Sequence, residues 1–376
     1  MKYYNSISKE TQLQIMTKGR FEAIDSFRGI LAICVVLSHF SLIDSITEMT
    51  IIHDATLFVE FFFMLSGFVI TYHYGNNKYV TFKQFIKKRF LRLYPLHITM
   101  FIVVASRELI KLLAEHYTNI SFPSPAFSGR LSIAEILPNI LLLQSWTPYT
   151  HSLSFNAPSW SLSIEFYVYI LFYISLVVFR SYKKYAWAFF SFISFTLIFI
   201  GSDILMLDVL RGLSCFFAGA LVALTYNKYP HLTIPSYFAS ILEIILISAI
   251  IITLSTTPPH KSIIASALYI ITIFIFSYEK GVISKILQTR PLKTLSLYSY
   301  SIYMIHFSLL LFLTSMFLIT DKLFHTNIIT NIKGVNYMDF GGSTVNNIVM
   351  GLIVLGIVGL SKLTYNFIEL KGKKLF

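Results

Sequence analysis

Residues 24–40 read IDSFRGILAICVVLSHF and place one arginine and one histidine in an otherwise apolar stretch. On an α-helix, Arg28 and His39 fall within about 20° of one face and about 16 Å apart along the axis, at 100° and 1.5 Å per residue. One groups near a membrane surface and the other lies deep. An ionisable residue in a spanning helix costs about 2.5–3.5 kcal/mol on insertion scales, so such residues face a protein interior and mark a functional path. The plainer alternative is an arginine whose stem snorkels and a histidine that is only hydrogen-bonded.

The surrounding chain supports a membrane setting. Of 376 residues, 55% are hydrophobic and 13% charged, about half the charged fraction of a soluble domain, which argues against a separate soluble domain. Apolar runs of spanning length predict an all-α, polytopic integral membrane protein with about ten transmembrane helices, near 24–46, 53–75, 93–113, 159–179, 185–203, 208–226, 236–255, 262–278, 296–319 and 344–366. An even count puts both termini on one side. Most of the 30 lysines and arginines gather there, in the N-terminal segment, at 78–92, 180–184 and 280–293, and after 362, so that side is read as cytoplasmic. The resulting division is a cytoplasmic segment 1–23, a membrane domain 24–366 and a cytoplasmic tail 367–376. The net charge of +12 is then a topological signal with affinity for membrane lipids, and no nucleic-acid partner is expected. No apolar core with a cleavage site precedes Ile24, and Cys34 and Cys215 form no CxxC pair.

The segment from Ala114 to Pro158 holds a short apolar run, ILPNILLLQSW, read as re-entrant or interfacial; Thr320 to Ser343 is polar. FKQFIKKRFLRLYP, 82–95, is amphipathic, with Arg89 and Arg92 on one helix face and Pro95 placed in the first turn of the next span. Paired guanidiniums suit phosphate oxygens; a positive-inside stop signal is the competing reading. In VEFFFMLSGFVITYHY, Ser66 and Gly67 would allow a close helix approach, while Glu60 is costly in lipid and its role stays open. Glu165 follows a proline-containing helix start, and His306 sits in SLYSYSIYMIHFSLLLF; counting helical rise brings His39, Glu165 and His306 to similar depth. A buried histidine beside a carboxylate can remove a hydroxyl proton. There is no HExxH, GxSxG or P-loop, so metal-hydrolase, serine-hydrolase and NTPase chemistry lack a motif, and no metal site is expected.

Taken in order, IDSFRGILAICVVLSHF, FFFMLSGF, RFLRLYP, SWSLSIEFYVY, RGLSCFFAGAL and SYSIYMIH resemble the acyltransferase 3 family of bacterial multi-spanning membrane acyltransferases, from Ile24 to about Glu369. The order of six weak motifs carries the likeness. Two departures are visible: YNFIEL puts Leu370 after Glu369 where the family often has proline, leaving Glu369 without an expected role, and no SGNH domain follows the last span.

The resemblance implies a stand-alone O-acyltransferase of the inner membrane, with acyl-CoA, acetyl-CoA in particular, as co-substrate and no permanently bound cofactor. The acceptor it implies is a hydroxyl of a glycan or lipid-linked glycan, such as O-antigen, capsule or exopolysaccharide. His39 would be the general base with Glu165 as its acid partner; Arg28, Arg89 and Arg92 would hold the donor; Trp160, Arg211, Ser301, Tyr303 and His306 would support the site. The alternative is a non-enzymatic flippase or transporter of a lipid-linked glycan.

Overall fold

The computed structural model describes residues 21–75, 80–118, 122, 124–332 and 335–374; the basic residues of the N-terminal segment, Lys78 and Lys333 lie outside them. Ten helices of sixteen residues or more are found among the described residues: α1 Glu22–His39, α2 Phe58–Tyr74, α3 Phe82–Tyr117, α4 Ser159–Phe179, α5 Lys183–Phe199, α6 Leu207–Lys228, α7 Ser236–Ser255, α8 Lys261–Phe276, α9 Arg290–Phe324 and α10 Ser343–Thr364. Among the described residues, six stretches are long and apolar enough to cross a membrane: Thr50–Tyr74, Ser159–Phe199, Leu207–Lys228, Ser236–Ser255, Arg290–Asp321 and Ser343–Gly372. The expected spans at 24–46, 93–113 and 262–278 are not among these, and those at 159–179 and 185–203 fall in one stretch, for physical reasons. Glu22, Asp25 and Arg28 crowd the first turns of α1, Arg107, Glu108 and Lys111 interrupt the apolar half of α3, and α8, Lys261–Phe276, is an apolar helix of only sixteen residues.

Helix boundaries moved where a partner decided them. α1 stops at His39, short of the expected 46, because Phe40 turns extended and the following backbone pairs with a hairpin: Met338 N donates to Ser41 O at 2.9 Å and Ile43 N to Met338 O at 3.1 Å. That hairpin, β1 Ile329–Ile332 and β2 Val335–Met338, is antiparallel and occupies the polar segment between α9 and α10. The amphipathic run and the third span are one helix: Pro95 lies inside α3 rather than in a first turn. Thr81 caps its start through a reciprocal bond with Gln84, and buried Leu93 and Leu96 flank the proline, so packing on both sides offsets the missing N–H. The re-entrant reading of ILPNILLLQSW shrinks to a short helix, Ile136–Ile140, followed by turns.

α6 is the central packing element, set against α2 and α5, while α1 lies along α9. Its contact with α2 is made by backbone. A Cβ on Gly67 would stand 1.9 Å from Phe216 O, and one on Gly219 would stand 1.9 Å from Met64 O. The two motifs that contain these glycines, FFFMLSGF and RGLSCFFAGAL, are therefore the two halves of one crossing.

The same helices are tied by a buried ion pair that accounts for Glu60. Arg211 Nε donates to Glu60 Oε1 at 2.8 Å, Ser262 Oγ to the same oxygen at 2.6 Å and Ser266 Oγ to Oε2 at 2.9 Å, joining α2, α6 and α8. Arg211 also reaches Thr56 O at 3.2 Å and Asp208 at 3.4 Å, and lies 5.7 Å from the Trp160 ring. Both Glu60 oxygens and all three Arg211 nitrogens are met. Removing one member of such a pair leaves a desolvated charge, so Glu60→Ala should cost about 3–5 kcal/mol and lower the thermal unfolding midpoint in detergent, whereas Glu60→Ala with Arg211→Met should recover part of the loss. A midpoint unchanged in Glu60→Ala would refute the structural role.

Candidate functional site

Two adjoining cavities open between α1, α2, α3, α4 and α9. The deeper has a volume of about 100 Å³, room for several waters, and is lined by Arg28, Ser66, Arg92, Ser161, Glu165, Ser299, Tyr300 and Tyr303 with apolar residues of α2 between them. The second is lined by Asp25, Arg28, Arg92, Ser299, Tyr300, Tyr365 and Glu369. Arg28, Arg92, Ser299 and Tyr300 line both, so the two cavities share a wall and the arginines are its charged members.

Each polar group is delivered by local helix geometry. Gly29 allows α1 to press on α9, because a Cβ there would meet Ser296 N at 2.8 Å, and this sets its neighbour Arg28 against the α9 wall. Arg28 and Arg92 stand in each other's field, offset by Asp25, Glu165 and, for Arg92, Glu369. Glu165 accepts from Ser66 Oγ at 2.7 Å and from the hydroxyl of Tyr169, one turn on along α4. The spacing in SWSLSIEFYVY thus serves to hold the acid. Across the cavity the Tyr303 hydroxyl and Ser161 Oγ are 2.9 Å apart, and Tyr300 donates to Leu93 O at 2.6 Å.

Arg89 and Arg92, read as a fork from their spacing, have different surroundings. Arg92 lines both cavities, while Arg89 is buried under aromatic rings: its guanidinium lies 5.2 Å from the Tyr74 ring, 5.8 Å from Phe85 and 5.9 Å from Tyr169, and it donates to the Tyr74 hydroxyl at 3.2 Å. Through Tyr169 it supports Glu165 rather than lining the cavities.

The histidines lie beyond Tyr303. The His39 and His306 rings are 4.9 Å apart between centroids at an interplanar angle of 65°, and Tyr303 lies 6.0 Å from His306. His39 Nδ1 is 2.8 Å from Val35 O. A carbonyl only accepts, so the neutral ring carries its hydrogen on Nδ1 and leaves Nε2 as a lone pair. Glu165 makes its hydrogen bonds to Ser66 and Tyr169; the neighbour of His39 is His306. Ser301 donates to Glu369, and Trp160 and Arg211 belong to the Glu60 group.

Several contributors were not assigned from sequence: Asp25, Ser161, Ser299 and Tyr300 line the cavities, and three more shape them. Glu369, set aside for want of a following proline, is 3% exposed and lines the second cavity, carried there by the π-helical turn Tyr365–Glu369. Tyr169 could have been found from its i, i+4 spacing to Glu165; Ser66, read as a small packing residue, is a donor to that acid.

The family model described as acyltransferase domain, Acyl_transf_3, matches residues 21–362. The chain is similar to "Acyltransferase MdmB" of Streptomyces mycarofaciens, 33% identical over 161 residues, which is 41% of this chain and 38% of that protein. It is also similar to "Protein 2 in picA locus" of Rhizobium radiobacter, 36% identical over 93 residues, 23% of this chain and 45% of the other. These matches span under half the length of either relative. No solved structure matches. With the family model spanning nearly all of the described helices, the chain belongs to the acyltransferase 3 family.

Proposed function

We propose that this chain is an inner-membrane O-acyltransferase that moves an acyl group, acetyl in the first instance, from cytoplasmic acyl-CoA to a hydroxyl of a cell-surface or exported glycan. The observation that carries this reading is the division of chemistry by depth: two arginines that line both cavities, hydroxyls of Tyr303 and Ser161 on the wall of the first, and a histidine beyond them whose Nδ1 faces a carbonyl, leaving Nε2 as the lone pair. A donor with a phosphate-bearing head and a thioester on a long arm needs charge and chemistry at separate depths. The rise of α1 from Arg28 to His39, about 16 Å, supplies that separation. The ten-helix count and cytoplasmic termini belong to this proposal, since they put the arginine end of α1 on the side where acyl-CoA is found.

In this reading Arg28 and Arg92 hold donor phosphates through forked, charge-assisted hydrogen bonds, with Asp25 and Glu369 fixing the fork. Arg89 keeps Tyr169, and so Glu165, in place. The thioester carbonyl comes to the Tyr303–Ser161 pair, where the Tyr303 hydroxyl can turn to donate to the developing oxyanion while Ser161 Oγ donates to Pro158 O. His39 is reached from the end of α1 capped by the hairpin, and its Nε2 takes the proton of the acceptor hydroxyl as that oxygen attacks. Direct transfer needs no acyl-enzyme. The name of the Streptomyces relative supports acyl transfer as the reaction class.

Membranes containing the protein, acetyl-CoA labelled in the acetyl group and the host polysaccharide fraction test the reaction. Label should enter the glycan with wild type and fall by about 10²–10⁴-fold in His39→Ala, as for loss of a general base. Equal labelling in the two would remove His39 from the mechanism, and movement of lipid-linked glycan indifferent to acyl-CoA would favour the flippase alternative. The two arginines should separate kinetically. Arg92→Ala should raise KM for acyl-CoA with kcat largely kept, whereas Arg89→Ala should lower kcat with little change in KM, because only the first removes ground-state donor binding. Identical KM effects would contradict their assignment.

A further inference from the structure

His306 is an unusual group to bury. It has no solvent exposure, and its Nδ1 lies 3.2 Å from Ile302 O, one turn back along α9, just as His39 Nδ1 meets Val35 O on α1. Both rings therefore carry hydrogen on Nδ1 and present a bare Nε2. His306 Nε2 has no hydrogen-bond partner among the described residues. Buried nitrogens of this kind are almost always paired, so the vacancy asks for a partner.

Two bare lone pairs cannot bond to each other, but one added proton changes that. Rings joined by a single N–H···N bond of about 2.9 Å have centroids up to about 5 Å apart, so the 4.9 Å separation leaves room for that bond once a proton is shared. The remaining neighbours do not supply a competing proton site: Ser38 Oγ lies 3.4 Å from His39 Nδ1, Phe307 is 6.0 Å from His39, and Tyr303 is 6.0 Å from His306. The charges in reach of Tyr303 are Glu165, Asp208 and Arg211, each engaged in hydrogen bonds of its own.

We propose that His39 and His306 form a dyad that binds one proton between their two Nε2 atoms, with His306 as the proton-sharing partner of His39. The inference rests on the acyl-transfer reading for its use, though not for its detection. During transfer the acceptor oxygen bonds to the thioester carbon and its proton passes to His39 Nε2, which then donates to His306 Nε2. The C–S bond breaks with its electron pair on sulfur, and the shared proton is returned to that thiolate. His306 touches neither substrate in this scheme; it makes the charged form of His39 tolerable in an apolar site. A second protonation is opposed by like charge.

Diethyl pyrocarbonate, which labels unprotonated imidazole, reads the dyad without any substrate. The purified full chain in lipid nanodiscs would be labelled across pH 5–8 and modification at His39 measured by peptide mass spectrometry, for wild type, His306→Phe and His306→Asn. Loss of the sharing partner should move the labelling midpoint of His39 to lower pH by about half a unit or more in His306→Phe, and His306→Asn, whose side-chain oxygen can accept, should restore part of that shift. If the two rings only pack, removing a like-charging neighbour raises the midpoint or leaves it alone, and either result overturns the dyad. The Asn variant, closer in polarity, keeps the test in force if the Phe variant does not fold. Failure of acetyl transfer with the midpoint shift intact would count against the enzymatic reading and leave the dyad standing.

Discussion

An ionisable side chain inside an apolar helix bundle must find a partner, and the structure is arranged around that requirement. Three solutions are visible. Glu60 is neutralised by Arg211 and two serines; Glu243 takes the backbone N–H groups of Gly281 and Ser284 at the start of the short helix Val282–Leu287, at 3.1 and 3.0 Å; and the Arg28, Arg92, Glu165 and Glu369 group borders open space. The first two are closed networks whose donors and acceptors are spent on one another. Only the third leaves forked donors facing a cavity, which is why it and not the others is the candidate site.

The site in turn depends on how closely helices approach. Backbone contact between α2 and α6 through Gly67 and Gly219, and between α1 and α9 at Gly29, draws the walls together until polar groups from five helices face one cavity. α9 does most of this work. It carries Ser299, Tyr300 and Tyr303 on the cavity side and His306 one turn further on, and so runs from the cavity wall to the histidine pair. The hairpin between α9 and α10 fixes the other end of the path, since its pairing with Ser41 and Ile43 is what ends α1 just after His39.

Much of this was legible in the sequence because the cost of burying charge is local and severe. Arg28 and Glu165 could be singled out as residues an apolar helix would not carry without cause, Arg92 came from the spacing of an amphipathic run and Tyr303 from the family resemblance, and all four line one cavity. Pairings across the bundle were not legible, because helix spacing gives depth and face but not neighbour. Hence the carboxylate expected beside His39 is bound to Ser66 and Tyr169, and the ring beside His39 is His306. Arg89 and Arg92 share a face by i, i+3 spacing, yet only packing against Tyr74 and Phe85 separates their roles. Glu369 was set aside on a motif departure; the π turn that carries it inward has no signature in residue type.

The central claim is that the Arg28–Arg92 cavity receives acyl-CoA with its thioester toward Tyr303. The most direct measurement is a cryo-EM map of the full chain in nanodiscs with a thioether analogue of acetyl-CoA. The account predicts phosphate density against Arg28 and Arg92 and the acyl end at the Tyr303–Ser161 pair. Saturating analogue that leaves both cavities clear, or that binds with its phosphates elsewhere, would contradict it.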